Sequence, residues 1–62
     1  MNPLDAIEII ENQTYLAWEG YDVPDEYWQA WQFLHDTRIA YQLQGWYGRA
    51  AQHLIAEGMI NT

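Results

Sequence analysis

Sixty-two residues leave room for one domain, and at that length folding hides only about 60% of the unfolded surface. Nine carboxylates face two arginines for a net charge of −7, half of the residues are apolar and 16% are aromatic. The chain is too short for a multi-domain enzyme or a dinucleotide-binding domain, too apolar for a disordered acidic tail, and without cysteine it has no disulfide or thiolate–metal staple.

Asn2-Pro3 opens the first helix. Asn is a good N-cap, proline at the first helical position loses no needed donor, and Asp5 suits the positive end of the helix dipole. Ala6, Ile9, Ile10, Leu16 and Ala17 form one stripe, interrupted by Gln13, while Glu8, Glu11 and Glu19 face water. Gly20 is a left-handed stop, which places this helix at about residues 3–19.

Val23-Pro24-Asp25-Glu26 opens a second helix over about 24–37. Tyr27, Ala30, Trp31 and Leu34 share one face. Trp28 and Phe33 fall off it, so the helix is apolar on more than one side, and the extra side is expected to meet another subunit or a partner. Residues 39–44 are ambiguous between a short helix and an extended linker.

Gly45 and Gly48 bracket Trp46-Tyr47 and read as a turn. Tyr47, Ala50, Ala51, Leu54, Ile55 and Met59 then give a third stripe, over about 47–58, closed by Gly58 and followed by the apolar pair Met59-Ile60. No alternating pattern persists long enough for a sheet. The expectation is one all-α domain of three helices, with a short fourth possible, that self-associates.

The charge is unevenly placed. Residues 1–36 hold eight carboxylates and no base, whereas 37–62 hold Arg38, Arg49 and Glu57. This balance disfavours direct nucleic-acid binding and docking on anionic lipid, and it suits a basic partner. The plainer reading is that the carboxylates solvate two amphipathic helices. No basic flank precedes an apolar run, so no signal peptide is expected, and no stretch approaches the ~20 apolar residues of a membrane span. A cytoplasmic location is the default.

The segment Gln44-Gly45-Trp46-Tyr47-Gly48-Arg49 is the best candidate for ligand chemistry. Free N–H groups at a helix start suit an anion. Arg49 offers a forked charge to a phosphate, Gln44 a polar edge to a base, and Trp46 or Tyr47 a ring to stack on. The structural alternative is that the glycines serve only the turn, Tyr47 is core, and Arg49 pairs with Asp36 or Glu57. His53 and Glu57, four apart, read as an exposed pair rather than a metal site, for want of a third ligand. His35 beside Asp36 has the wrong helical geometry for a base and its orienter. The chain contains no serine, and no acid–base, nucleophile, cofactor or metal constellation stands out, so no enzyme is expected. Four tryptophans are a heavy load; Trp31 reads as core and Trp28 as interface.

The strings Phe33-Leu34-His35-Asp36-Thr37, Leu43-Gln44-Gly45-Trp46-Tyr47-Gly48-Arg49-Ala50-Ala51 and Leu54-Ile55-Ala56-Glu57-Gly58 resemble a family of small bacteriophage-encoded proteins that end in an L-Q-G-x-Y-G-R-x-A-x-x-L-I-x-x-G module. The likeness covers roughly residues 33–60. Arg38 stands where many members have glycine, and Trp46 where a small polar residue is usual. The resemblance implies a phage setting, hence the host cytoplasm, and no settled activity.

Two functions follow as expectations. The first is a non-enzymatic inhibitor that blocks a host antiviral-defence protein, such as a basic nuclease or effector, through an acidic, aromatic surface of Asp22, Asp25, Glu26, Tyr27, Trp28 and Phe33. The second is a sponge that sequesters a nucleotide immune signal at Gln44–Arg49. Composition favours the first, because a net charge of −7 opposes anion binding.

Overall fold

The structure, a computed structural model, covers Met1–Thr62 and contains only helices and turns. Helix α1 runs Pro3–Trp18, α2 Asp25–Asp36 and α3 Gly45–Ala56, with a 3-10 turn at Ile39–Tyr41 between the last two. The all-α expectation holds, and the ambiguous stretch before Gly45 contains that single 3-10 turn.

Local chemistry sets the ends. Asn2 Oδ1 accepts the Asp5 N–H at 2.9 Å and so caps α1. Pro24 is the N-cap of α2, one position before the helix proper. Gly20 and Gly58 take positive φ, 88° and 77°. Behind each, two N–H groups fold back on the last turn: Gly20 to Ala17 and Tyr21 to Leu16, Gly58 to Ile55 and Met59 to Leu54. Both are Schellman closures. The turn after α2 forms as well, with Arg38 itself in the left-handed region at φ 65°.

Helix α2 is the centre of the molecule. Tyr27, Ala30, Trp31, Leu34 and His35 are buried along it. Helix α1 covers it with Ala6, Ile10 and Thr14, a row at intervals of four. The Thr14 hydroxyl is satisfied by Ile10 O at 2.6 Å and the Tyr27 hydroxyl at 3.1 Å. Helix α3 contributes Tyr47 and Ala51, the 3-10 turn Ala40, and the tail Ile60.

Several expectations are corrected here. Tyr27, assigned to an interface, is 3% exposed and belongs to the core. Phe33 and Trp28 are half-buried against the same core. The second apolar side of α2 is thus partly covered by its own chain, and Trp28 and Phe33 keep part of their surface open. The tail is held by Gln32, whose amide donates to Asn61 O at 2.9 Å and accepts from Asn61 N at 2.7 Å. That clasp buries Ile60 and leaves Met59 exposed, the reverse of the third stripe's expected end. Finally, Gly45–Gly48 is not a turn: α3 begins at Gly45, two residues early.

Gly48 therefore lies inside a helix, and its reason is packing. A Cβ there would sit 3.3 Å from Tyr41 Cδ1 and 3.8 Å from Ala40 O. The bare glycine lets the 3-10 turn lie against α3.

Candidate functional site

Three of the depressions on the surface bear on the candidate site. The first is a shallow cleft of about 490 Å³ where the 3-10 turn meets the start of α3, lined by Ala40, Tyr41, Leu43, Gln44, Gly45, Gly48, Arg49 and Gln52. Four of the six residues singled out from sequence converge here: Gln44, Gly45, Gly48 and Arg49. Gln44 is the N-cap but makes no side-chain capping bond, and no carboxylate occupies the first turn of α3. The first N–H groups of that helix are therefore left to solvent or a ligand. A Cβ on Gly45 would lie 3.1 Å from Arg49 Nη1, so the guanidinium folds back over the same helix end. Arg49 is exposed, and the structure contains no arginine–carboxylate pair. The expected alternative partners Asp36 and Glu57 do not hold it.

The two other residues of that segment go elsewhere. Tyr47 is core, 4% exposed, and its ring lies 4.0 Å from that of Trp46 in a stacked arrangement. Its hydroxyl donates to Glu11 Oε1 at 2.8 Å. Burial first, and then the hydrogen bond and negative charge of Glu11, push its pKa up from 10.0 to about 12. Neither ring lines the cleft. The ring that does is Tyr41, which is 39% exposed. It is fixed by two bonds, His35 Nδ1 at 2.7 Å and Gln52 Nε2 at 2.8 Å. The Gln52 amide donates to the Tyr41 oxygen, while the direction of the bond to His35 Nδ1 follows the tautomer of the imidazole. Tyr41 was missed from sequence; the signal was Gly48, whose lack of a side chain announces a neighbour pressed against it.

The second depression, about 450 Å³, lies between α1 and the start of α2, where Asp5, Glu8 and Glu26 line it with Gln13. Gln13 donates to Glu26 Oε1 at 3.2 Å. Asp22 and Asp25 are exposed nearby in sequence but do not line this cleft. Of the residues assigned to a protein-binding face, Glu26 lines the acidic cleft, Trp28 and the buried Tyr27 line a different groove, and Asp22 and Asp25 are exposed.

The third is a groove of about 380 Å³ between the end of α1, the start of α2 and α3. All four tryptophans of the chain line it: Trp18, Trp28, Trp31 and Trp46. Trp31 is 1% exposed and meets Trp46 edge to face at 6.3 Å; Trp28 meets Tyr27 likewise at 5.0 Å. At the other extreme Trp18 is 77% exposed. Its place was legible in retrospect, since Ala6, Ile10, Thr14 and Trp18 form one row at intervals of four. His53 and Glu57 stand at the groove with 3.7 Å between Nε2 and Oε1, both largely exposed.

Compared with family models, curated proteins and solved structures, the chain matches none. No group of three or more His, Cys, Asp or Glu is placed to hold a metal ion, and no helix is long and apolar enough to cross a membrane.

Proposed function

We propose that the protein is a non-enzymatic binding protein that sequesters a nucleotide in the cleft between the 3-10 turn and α3. The phage setting implied by its C-terminal module makes a nucleotide signal of host antiviral defence the fitting cargo. One observation carries this reading. The Arg49 guanidinium lies over an uncapped, carboxylate-free helix start, in a cleft that also presents the fixed ring of Tyr41. The guanidinium and the helix N–H groups suit a phosphate. Tyr41 suits a base by stacking, and the amides of Gln44 and Gln52 suit its polar edge. Composition weighs the other way, but both arginines lie in the second half of the chain, where residues 37–62 hold a single carboxylate, Glu57.

Self-association belongs to the same proposal. One Arg49 per cleft is a modest charge for a nucleotide, and a second copy bringing its own Arg49 to the anion would double it.

The test is equilibrium dialysis of the purified protein against a panel of mono- and dinucleotides. Arg49→Ala is expected to weaken retention by roughly 10- to 150-fold, the value of a charge-assisted contact. The triple neutralisation Asp22→Asn, Asp25→Asn, Glu26→Gln is expected to leave retention unchanged or slightly improved.

The acidic cleft of Asp5, Glu8 and Glu26 supports a second reading, inhibition of a basic host defence protein. Phage survival on a defended host separates the two. Loss with Arg49→Ala favours the sponge, and loss with Glu8→Gln plus Glu26→Gln favours the inhibitor, with melts confirming that each variant folds.

A further inference from the structure

We propose a second ligand site: the four-tryptophan groove binds an alkylated ammonium ion, a cation whose charge is wrapped in methyl groups. The inference is independent of the nucleotide cleft, which uses Gly45, Gly48, Arg49 and Gln52 of α3, whereas the groove uses Trp46, Ala50, His53, Leu54 and Glu57.

Indole faces carry negative electrostatic potential, and tryptophan is the strongest cation–π partner among the side chains. Trp18, Trp28 and Trp46 line this groove with rings that keep exposed surface, and the buried Trp31 forms its floor. Glu57 is the carboxylate among the lining residues, and neither arginine is among them. His53 approaches Glu57 no closer than 3.7 Å, and the carboxylate remains exposed. A net charge of −7 adds an attractive field for any cation.

The remaining lining selects the kind of cation. A primary ammonium holds three N–H donors and keeps its water unless acceptors replace it. Here acceptors are scarce: Ala17, Ala50, Leu54 and Met59 offer no side-chain oxygen, and the Thr14 hydroxyl is already engaged by Ile10 O and Tyr27. A quaternary ammonium, alkylated at all four positions, has no such donors, sheds water cheaply and presents its methyl groups to the rings. The volume, about 380 Å³, is within the range of small-molecule sites.

The probe is choline chloride, titrated into the purified full chain and followed by the indole N–H signals in NMR and by calorimetry. Two controls define the chemistry: 3,3-dimethyl-1-butanol, the uncharged carbon isostere, and ethanolamine, the unmethylated cation. Saturable binding of choline is expected, with shifts concentrated on the indoles of Trp18, Trp28 and Trp46, and about 2- to 30-fold weaker binding of both controls. Trp18→Ala, at a residue too exposed to threaten the fold, and Glu57→Gln are each expected to weaken choline about 3- to 10-fold with an unchanged helical melt. Arg49→Ala leaves choline binding intact, which separates this site from the nucleotide cleft. Equal binding of the uncharged isostere overturns the proposal in favour of a plain apolar groove. So does retention on phosphatidylcholine vesicles without binding of free choline, or a groove whose indoles are covered by a second copy. Choline binding that neither substitution weakens overturns the location.

Discussion

The Tyr47 hydroxyl donates to Glu11 Oε1 at 2.8 Å across 36 residues of sequence, and so ties α3 to α1. Hydrogen bonds to charged groups are worth about 1.5–3 kcal/mol when buried, and this one is partly buried. Tyr47→Phe is expected to cost about 1–2 kcal/mol at neutral pH, read as a lowered melting temperature.

Burial of the same hydroxyl, with this bond and the Glu11 charge added, sets an alkaline limit. The pKa of Tyr47 rises from 10.0 in the ordinary state to about 12 in the fold. The neutral phenol is thus favoured by folding, so its contribution is whole below about pH 10 and is lost as pH climbs through 12. That contribution is on the order of 2 kcal/mol. Wild type should lose stability over this window more steeply than Tyr47→Phe. Parallel curves for the two proteins would contradict the assignment, as would an absorbance titration in which Tyr47→Phe removes no step near pH 12.

Arg38 occupies the left-handed region at φ 65° with no side-chain cap to reward it. Non-glycine residues there cost about 1–2 kcal/mol, part of which glycine gives back as unfolded-state entropy. Arg38→Gly should therefore stabilise by roughly 0.5–1 kcal/mol, raising the melting temperature by about 2–8 °C. Unchanged or lower stability would show that Arg38 contributes something its exposed position does not reveal.

The two glycines of α3 should respond differently to alanine. At Gly48 the new methyl meets the Tyr41 ring at 3.3 Å, and that ring is pinned by His35 and Gln52. The gain in helix propensity, about 1 kcal/mol, is expected to be outweighed. At Gly45 the neighbour is the free end of Arg49, which can swing away. Gly45→Ala should be near neutral in stability yet displace the guanidinium from the helix end and weaken nucleotide retention. A stabilised Gly48→Ala would mean the 3-10 turn yields easily.

Self-association through α2 has less surface to use than expected, since Tyr27 is buried and Trp28 and Phe33 are half-buried. Tyr15 and Tyr21, 62% and 67% exposed, flank the still more exposed Trp18 near the end of α1 and with it form an aromatic surface available to a second copy. Sedimentation equilibrium should give a mass above 7.4 kDa that falls when both are changed to alanine. A monomer at every concentration would remove association from the proposed mechanism.

What was legible in sequence was local. Asn2-Pro3, Pro24-Asp25-Glu26, Gly20 and Gly58 act within one turn of themselves, and each helix end they predict lies within two residues of its place. The stripe Tyr27–Ala30–Trp31–Leu34 was legible for the same reason. What escaped depends on contacts far apart in the chain. Gly48 looked like a turn residue because its partner, the Tyr41 ring, is brought to it only by the fold. Ile60 rather than Met59 enters the core because Gln32, in another helix, holds Asn61. Of the candidate site, the polar and glycine positions were visible as a continuous segment, while the ring beside them came from outside it.

The convergence of every tryptophan on one groove has a spectroscopic consequence. Indole emission from this protein samples a single corner, where the ends of α1 and α3 meet α2, and excitation passes readily among rings so close. Loosening of that corner would redden the emission while the helical ellipticity stayed whole, so an early fluorescence transition would report local opening rather than a folding intermediate of the entire domain.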